Sequence, residues 1–449
     1  MRLTILGGGG FRVPLVYGAL LRDRAPGRVT EVVLYDVDAA RLHAIGRVLA
    51  ERAYGIDDAP RVRTTTDLDE ALRGADFVFS AIRVGGLEGR AADERIALDE
   101  GVLGQETVGA GGIAYGLRTV PVAVEIARRV KVLAPDAWVI NFTNPAGLVT
   151  EAMAEHLGDH VVGICDSPVG LARRVARAIG VDPAAVRLDY AGLNHLGWLH
   201  GMYDGEENVL PRLFEDDALL TSFEEGKLFG ADWLRTLGSV PNEYLHYYYF
   251  NREAVAAYQR AEKTRGAFLR EQQAGFYAST DSVPEASVWA AWDRTRAERE
   301  ATYMSANRKA SGGGERHADD MESGGYENVA LALMRAIARD EPATLVLNVR
   351  NGTSLRALDE KAVIEIPCRI DAAGPRPLPV SQLTGHEAGL VSTVKAVERC
   401  VLEAAESGSA RAAVKAFALH PLVDSVHVAR RLLDGYRGAH PGLGYLRAD

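Results

Sequence analysis

Three short segments carry side chains that could do chemistry together. Asn141-Phe-Thr-Asn144-Pro145 comes first, Cys165-Asp166-Ser-Pro168 follows, and Leu193-Asn194-His195 completes the series. The set offers a soft thiolate, an imidazole, a carboxylate and several amides. Thiolate plus imidazole suits a borderline divalent cation, and two protein ligands leave coordination positions open for substrate oxygens. Taken singly, each residue has a blander reading. A buried Cys is usually a small hydrophobe, and a lone His usually satisfies a hydrogen bond in the core. Asp166 reads as a further ligand, a general acid, or a carboxylate at the helix N-cap before Pro168. Arg83 and Arg90 flank a glycine-rich stretch and suit bidentate recognition of phosphate or carboxylate, or else surface ion pairing. Four tyrosines lie between Tyr244 and Tyr249. A tyrosine beside a metal works as a general base if its pKa falls, whereas Tyr247 to Tyr249 read better as an aromatic packing face.

These groups need a scaffold. Leu3, Ile5 and Leu6 read as a short buried strand, Gly7-Gly8-Gly9-Gly10 as a tight turn, and Pro14 to Leu21 as an apolar helix. Strand, glycine turn and helix form a dinucleotide-binding unit, in which backbone without Cβ lets amides approach a pyrophosphate at a helix N-terminus. Gly7, Gly8, Gly9 and Phe11 are the expected cofactor contacts of this loop. A second strand ends at Asp36, an acid placed to accept from a ribose diol, which favours NAD over NADP. Strands at Leu3–Leu6, Glu31–Tyr35, Phe77–Ser80, Trp138–Asn141 and Val161–Ile164 alternate with helices such as 67–73 and 120–133. The alternation predicts an α/β fold whose parallel sheet gathers binding residues at its strands' carboxyl ends. Arg83, Asn141, Asn144 and Cys165 fall at such ends, and Asn141 is grouped with the cofactor contacts. Gly101 to Gly112 reads as a flexible loop over the nicotinamide.

The second half is less regular. Helices dominate from Leu210 to Arg308, a mobile loop is expected over 311–326, and strands return at 343–348 and 363–367. Helices over 389–406, 410–419 and 424–439 close the chain. The 449 residues are too many for one ordinary domain. Two are expected, a nucleotide-binding one over 1–190 and one over 191–449 that covers the cofactor. A formal charge of −10 argues against nucleic acid and anionic membrane surfaces. No apolar run is long enough to span a bilayer, and no secretion leader is visible. The three cysteines make no disulfide framework, which suggests a reduced cytoplasm.

In order along the chain, several motifs resemble those of the family 4 glycoside hydrolases, the NAD- and metal-dependent glycosidases. They are Gly7–Pro14, Arg83–Arg90, Gly104-Gln-Glu106-Thr107, Asn141–Pro145, Cys165–Pro168, Leu193–Leu196, Tyr244-Leu245, Leu347–Gly352 and Glu365–Cys368. The resemblance implies a Rossmann-like sheet packed on a mixed α+β domain, as in lactate and malate dehydrogenases. It implies a homodimer or homotetramer. It also implies a mechanism outside the two-carboxylate scheme. NAD takes hydride from C3 of the sugar, the C2 proton becomes acidic, the aglycone is eliminated, water adds and hydride returns. Cys165 and His195 would hold the divalent metal, most simply manganese. Tyr244 matches the C2 base and Asp166 the group that assists departure. Asn144, Asn194 and Arg265 match sugar contacts, and Arg83 and Arg90 match the region that holds a 6-phosphate.

Two departures stand out. The early loop lacks the family's usual hydroxyl residue and carries Gly10-Phe11-Arg12-Val13-Pro14 instead, so Arg12 could take over its role. Asp166 pulls towards the α-linked substrates of the family, while 345–379 and the Arg83–Arg90 loop look more like the β-glucosidase branch. The expectation is therefore a 6-phospho-β-glucosidase acting on a phosphorylated disaccharide or aryl glucoside, with a 6-phospho-α-glucosidase as the alternative. An oxidoreductase like the 2-hydroxyacid dehydrogenases would share the nucleotide domain but would need neither Cys165, a divalent ion nor Tyr244.

Overall fold

The computed structural model describes residues 1–282, 284, 287–304, 308 and 325–447. Six strands form the parallel half of its sheet: β1 (Arg2–Leu6), β2 (Glu31–Tyr35), β3 (Arg61–Thr65), β4 (Phe77–Ser80), β5 (Trp138–Asn141) and β6 (Val161–Gly163). Their order is β3-β2-β1-β4-β5-β6, the doubly wound order of dinucleotide-binding sheets. Leu3, Ile5, Val32, Leu34, Val78, Val139 and Ile140 are fully buried. Such near-continuous apolar strands are what a parallel sheet covered on both faces requires. β3 is the strand that the apolar pattern misses, because its Arg61-Val-Arg-Thr-Thr65 run sits at the sheet edge and none of it is buried.

The second half extends the same sheet. β7 (Arg187–Leu193), β8 (Leu196–Asp204), β9 (Glu207–Asn208), β10 (Val240–Pro241), β11 (Ala343–Arg350), β12 (Val363–Asp371) and β13 (Gly374–Pro377) all pair antiparallel. β11 joins β6 at Asn348 and Gly163, and β12 joins β7 at Glu365 and Gly192. Backbone pairing therefore runs without interruption across residue 190. A Cβ on Gly163 would lie 2.7 Å from Cβ of Asn348 and 2.4 Å from the Thr150 hydroxyl, so glycine is what lets the two half-sheets meet.

Helices Gly385–Ser407, Ala410–Leu419 and Val426–Ala439 return to the first half. They pack on the helix Gly109–Leu133 through Val397, Val401, Ala412, Ala416, Phe417 and Leu433 against Ala110, Ala114 and Leu117. The expected loop over 101–112 is corrected here. Val102, Leu103, Gly104 and Gln105 are buried, and the long helix begins at Gly109. Cβ atoms on Gly104, Gly111 and Gly112 would lie 2.3, 2.1 and 2.4 Å from the carbonyl oxygens of Glu94, Gln105 and Thr107. These glycines permit close packing. The loop expected at 311–326 falls, for residues 311–324, outside the described residues.

Candidate active site

A cavity of about 1110 Å³ opens at the carboxyl ends of the parallel strands. Gly7, Gly10, Phe11, Arg12, Arg83, Arg90, Asn144, Cys165, Asp166, His195, Tyr244 and Arg265 all line it. Gly8, Gly9, Asp36, Asn141 and Asn194 do not.

The glycine turn is built for a dinucleotide. Gly7 has φ of 83°, and a Cβ there would lie 2.6 Å from the carbonyl of Ala81. Gly8 and Gly9 lie as tightly against Leu34 and Arg41, at 2.6 and 2.7 Å. The helix Val13–Arg22 starts with no side-chain cap and no acid in its first turn, so nothing negative on its own chain competes with an anion at its N-terminal end. Asp36 accepts from the Gly9 amide at 3.0 Å and the Asp38 amide at 3.1 Å, which orients its carboxylate at the end of β2. The second half holds this loop from above. Tyr277 donates to the Gly9 carbonyl at 2.7 Å, Trp292 to that of Phe11 at 2.8 Å and Tyr326 to that of Arg12 at 2.9 Å. Sequence reasoning passed over all three, because they lie far along the chain from their acceptors and look like ordinary core aromatics.

Some cofactor and sugar assignments change. The Phe11 ring is packed between Phe276 and Trp292 at 5.5 and 5.7 Å, so it anchors the loop at the cavity wall. Asn141 is wholly buried. Its amide donates to Thr143 O, Ala146 O and the Thr150 hydroxyl, and its oxygen accepts from the Thr143 amide. That side chain fixes the turn before Pro145 and has nothing left for a cofactor. Asn194 donates to Glu365 at 3.0 Å. Glu365 also accepts from Asn348 and Tyr190 at 3.0 Å each, so Asn194 braces the sheet beneath the site.

The metal candidates fit a divalent ion. Asn194 and His195 form the two-residue turn between β7 and β8, and His195 has φ of 62°. A non-glycine residue held there costs about 1–3 kcal/mol and is typical of functional turns. Thr107 donates its hydroxyl to Gln105 at 3.2 Å, so its lone pair receives Nδ1–H of His195 at 2.9 Å. That leaves Nε2 bare, the tautomer a metal requires. Burial pushes the His195 pKa down to about 3, which keeps the imidazole neutral. Cys165 is buried, and burial, with Glu365 and Asp166, raises its thiol pKa well above the ordinary value. A divalent cation would reverse that preference by taking the thiolate directly. Among the described residues no third His, Cys, Asp or Glu completes a cluster, so a bound ion keeps positions for substrate.

Tyr244 stacks on His195 with ring centroids 3.6 Å apart and planes within 8°. A lowered pKa was the condition for Tyr244 to act alone as a base; burial and then Glu243 push it well up instead. Asp166 precedes the helix Ser167–Ile179 but accepts no capping hydrogen bond. Its carboxylate instead lies 3.7 Å from Arg12, whose guanidinium sits 4.8 Å over the Tyr326 ring.

Arg83 and Arg90 share one acid that sequence reasoning quoted only as part of a motif. Glu106 accepts from both, at 2.6 Å from Arg90. Burial would raise the Glu106 pKa, but Arg83 and Arg90 override it and hold it down to about 2. Arg90 also pairs with Glu94 at 2.8 Å, so its fork is spent inside the wall; Arg83 is the more open of the two. Glu94 in turn accepts from the Gly266 amide at 2.6 Å, which sets Arg265 at the cavity edge. Arg265 donates to the Thr302 hydroxyl at 2.6 Å and the Arg299 carbonyl at 2.7 Å. Burial, with Arg299 and Arg90 nearby, lowers its pKa to about 10. Eleven Arg and Lys line the cavity against seven Asp and Glu. In an acidic chain this cationic chamber suits a pyrophosphate and a second anionic group.

Residues 2–181 match the model of the family 4 glycosyl hydrolases, and residues 190–423 match the model of that family's C-terminal domain. A probable 6-phospho-β-glucosidase of Bacillus subtilis is 33% identical over 98% of this chain and 96% of its own. The 6-phospho-β-glucosidase of Thermotoga maritima, solved with NAD and glucose-6-phosphate, superposes with a TM-score of 0.83 at 25% identity over 100% of both chains. A 6-phospho-α-glucosidase from gut microorganisms, solved with NAD and Mn2+, gives 0.79 at 25% identity over 98% of each chain. With both family models matched in order across nearly its whole length, this chain belongs to the family 4 glycosyl hydrolases.

Proposed function

We propose that this glycosidase hydrolyses 6-phospho-β-glucosides with NAD and a divalent ion, best manganese. The observation that carries the reading is the stacking of Tyr244 on His195, whose Nδ1 meets the Thr107 hydroxyl, in a cavity shared with Cys165, Asp166 and the glycine turn. When bound, NAD supplies a hydride acceptor and donor for C3, and the ion supplies Lewis acidity that loosens the C2 proton. Residues 1–190 hold the cofactor, and residues 191–449 supply substrate contacts and subunit contacts. Asp36 and the glycine turn before Val13 orient the dinucleotide. Cys165 Sγ and His195 Nε2 hold the ion. Tyr244 Oη receives the C2 proton, and Asp166 passes a proton to the departing glycosidic oxygen. Asn144 and Arg265 orient the sugar, and Arg83 meets the 6-phosphate while Arg90 and Glu106 hold Arg83 in place.

The β preference rests on the B. subtilis relative at 33% identity. Asp166 favours the second reading, a 6-phospho-α-glucosidase. A panel of nitrophenyl α- and β-glucosides, with and without the 6-phosphate, separates the two when assayed with NAD and manganese. Hydrolysis of the β-linked phosphorylated substrate is expected; activity confined to α-linked or unphosphorylated substrates overturns the proposal. No described helix is long and apolar enough to cross a membrane, and the three free cysteines suit a cytoplasmic enzyme. A homodimer or homotetramer is expected, which light scattering on the purified protein measures.

A further inference from the structure

Tyr244 does not stand alone in the cavity wall. Its hydroxyl lies 3.2 Å from that of Tyr303, and Tyr303 donates to Glu243 Oε1 at 2.7 Å. Ser167 reaches the same carboxylate oxygen at 3.3 Å. Glu243 is buried, yet its residue borders the cavity. Two phenols and a carboxylate thus form a continuous hydrogen-bonded chain along the cavity wall. Tyr303 follows the helix Val288–Ala301, where Thr302 is tied to Arg265 and the Tyr303 carbonyl to Arg308. Neither tie uses the phenol, so the hydroxyl is aimed by its backbone.

We propose that Tyr303 and Glu243 are a proton relay behind Tyr244, and that Glu243 is the group in which the C2 proton equivalent comes to rest. The proposal builds on the assignment of Tyr244 as the C2 base. In the forward step the Glu243 carboxylate takes the Tyr303 hydroxyl proton, Tyr303 takes that of Tyr244, and Tyr244 takes the proton from C2. Glu243 ends as the acid, each tyrosine ends as the phenol it was, and the electron pair of the C2–H bond stays on the sugar. Reprotonation of C2 after water addition runs the chain backwards. No free phenolate is required at any point along the chain.

The surroundings of Glu243 suit a reservoir working near neutrality. It is faced by Arg174 from Ser167–Ile179, by Glu224 and Glu225 from Glu224–Phe229, and by Tyr303, Tyr244 and Ser167. Arg174 is 3.7 Å away and is engaged mainly by Glu225. Burial raises the Glu243 pKa to about 7; Glu224 and Glu225 add to the rise, while Arg174 and the Tyr303 hydrogen bond oppose it. A carboxylate poised there both accepts and returns a proton at working pH, the matching expected of an acid–base group.

The test uses the holoenzyme loaded with NAD and manganese, a phosphorylated nitrophenyl glucoside, and the Tyr303→Phe, Glu243→Gln and Tyr244→Phe variants. Two quantities are read: exchange of the C2 hydrogen with deuterated water, and transient reduction of bound NAD, which reports hydride transfer at C3. Expected are a tenfold or greater loss of exchange in Tyr303→Phe and Glu243→Gln with NAD reduction within about threefold of wild type. Exchange in the wild type should rise with pH through about 7, and this limb should vanish in Glu243→Gln. If Glu243→Gln does not fold, Tyr303→Phe decides alone. Loss of exchange in Tyr244→Phe with wild-type exchange and pH profile in Tyr303→Phe overturns the relay and leaves the base assignment standing. Wild-type exchange in Tyr244→Phe overturns both. Equal loss of exchange and NAD reduction in Tyr303→Phe marks a structural role and also overturns the relay.

Discussion

Cys165 and His195 respond oppositely to the same burial. The imidazole is held neutral and ready to coordinate, whereas the thiol must lose its proton first. Cys165→Ser and His195→Ala are therefore expected to lose manganese affinity by 10-fold to 100-fold or more while circular dichroism remains that of the wild type. Metal titration of the purified variants checks this, and unchanged affinity would return both residues to the core. Tyr244→Phe keeps the stack on His195 and removes one oxygen. Turnover should fall about a hundredfold or more, with KM little changed. Glu106 gives a pH prediction. Its carboxylate is held at about 2, below the ordinary 4.5, so its contribution to stability is present above about pH 4.5 and is lost as pH falls towards 2. Glu106→Gln leaves Arg90 and Arg83 short of a counter-ion. It should destabilise by about 3–5 kcal/mol at neutral pH, the range for breaking a buried pair. In denaturant titrations the gap from the wild type should narrow below about pH 4. Cys165, His195, Asp166 and Tyr244 stood out in the sequence because few residue types do such chemistry, and all four line the one cavity. The pairing of Glu106 with Arg83 and Arg90 was not, because a glutamate sixteen residues from Arg90 carries no mark of its partner.

Helices and strands were legible to the degree that their burial is regular. β2, β4 and β5 run as apolar blocks and have the predicted bounds; β3 does not, since its edge run Arg-Val-Arg-Thr-Thr holds one apolar residue. The stretch before Gly109 looked mobile because glycine has two uses, freedom and closeness, and sequence does not tell them apart. Here closeness wins: Gly111→Ala would bring a methyl to 2.1 Å from the Gln105 carbonyl. The variant should lose about 1–3 kcal/mol, as overpacked cores do, read as a lower midpoint in urea. The same close packing places Gln105 and Thr107 behind His195, so manganese affinity should fall alongside stability. At the glycine turn, Trp292 and Tyr326 each supply a hydrogen bond from the second half. Trp292→Phe and Tyr326→Phe should each weaken NAD binding about threefold to tenfold, the effect of one such bond, as measured by fluorescence titration. No apolar periodicity could have foretold these bonds, whose partners lie 281 and 314 residues apart.

At the scale of the whole molecule, the last three helices bury their faces on Gly109–Leu133, so the chain's end completes the cofactor half. NAD should be required for hydrolysis yet remain unconsumed, since the hydride that leaves C3 returns to it. Spectrophotometry through many turnovers should find no stoichiometric build-up of reduced cofactor. The uninterrupted sheet gives that economy a kinetic meaning. With β11 and β12 hydrogen-bonded between the parallel strands and the β7–β8 hairpin, the two halves share one continuous sheet beneath the cavity. In the proposed cycle NAD release is not a step of turnover, so NAD dissociation slower than kcat is expected, measured by stopped-flow displacement.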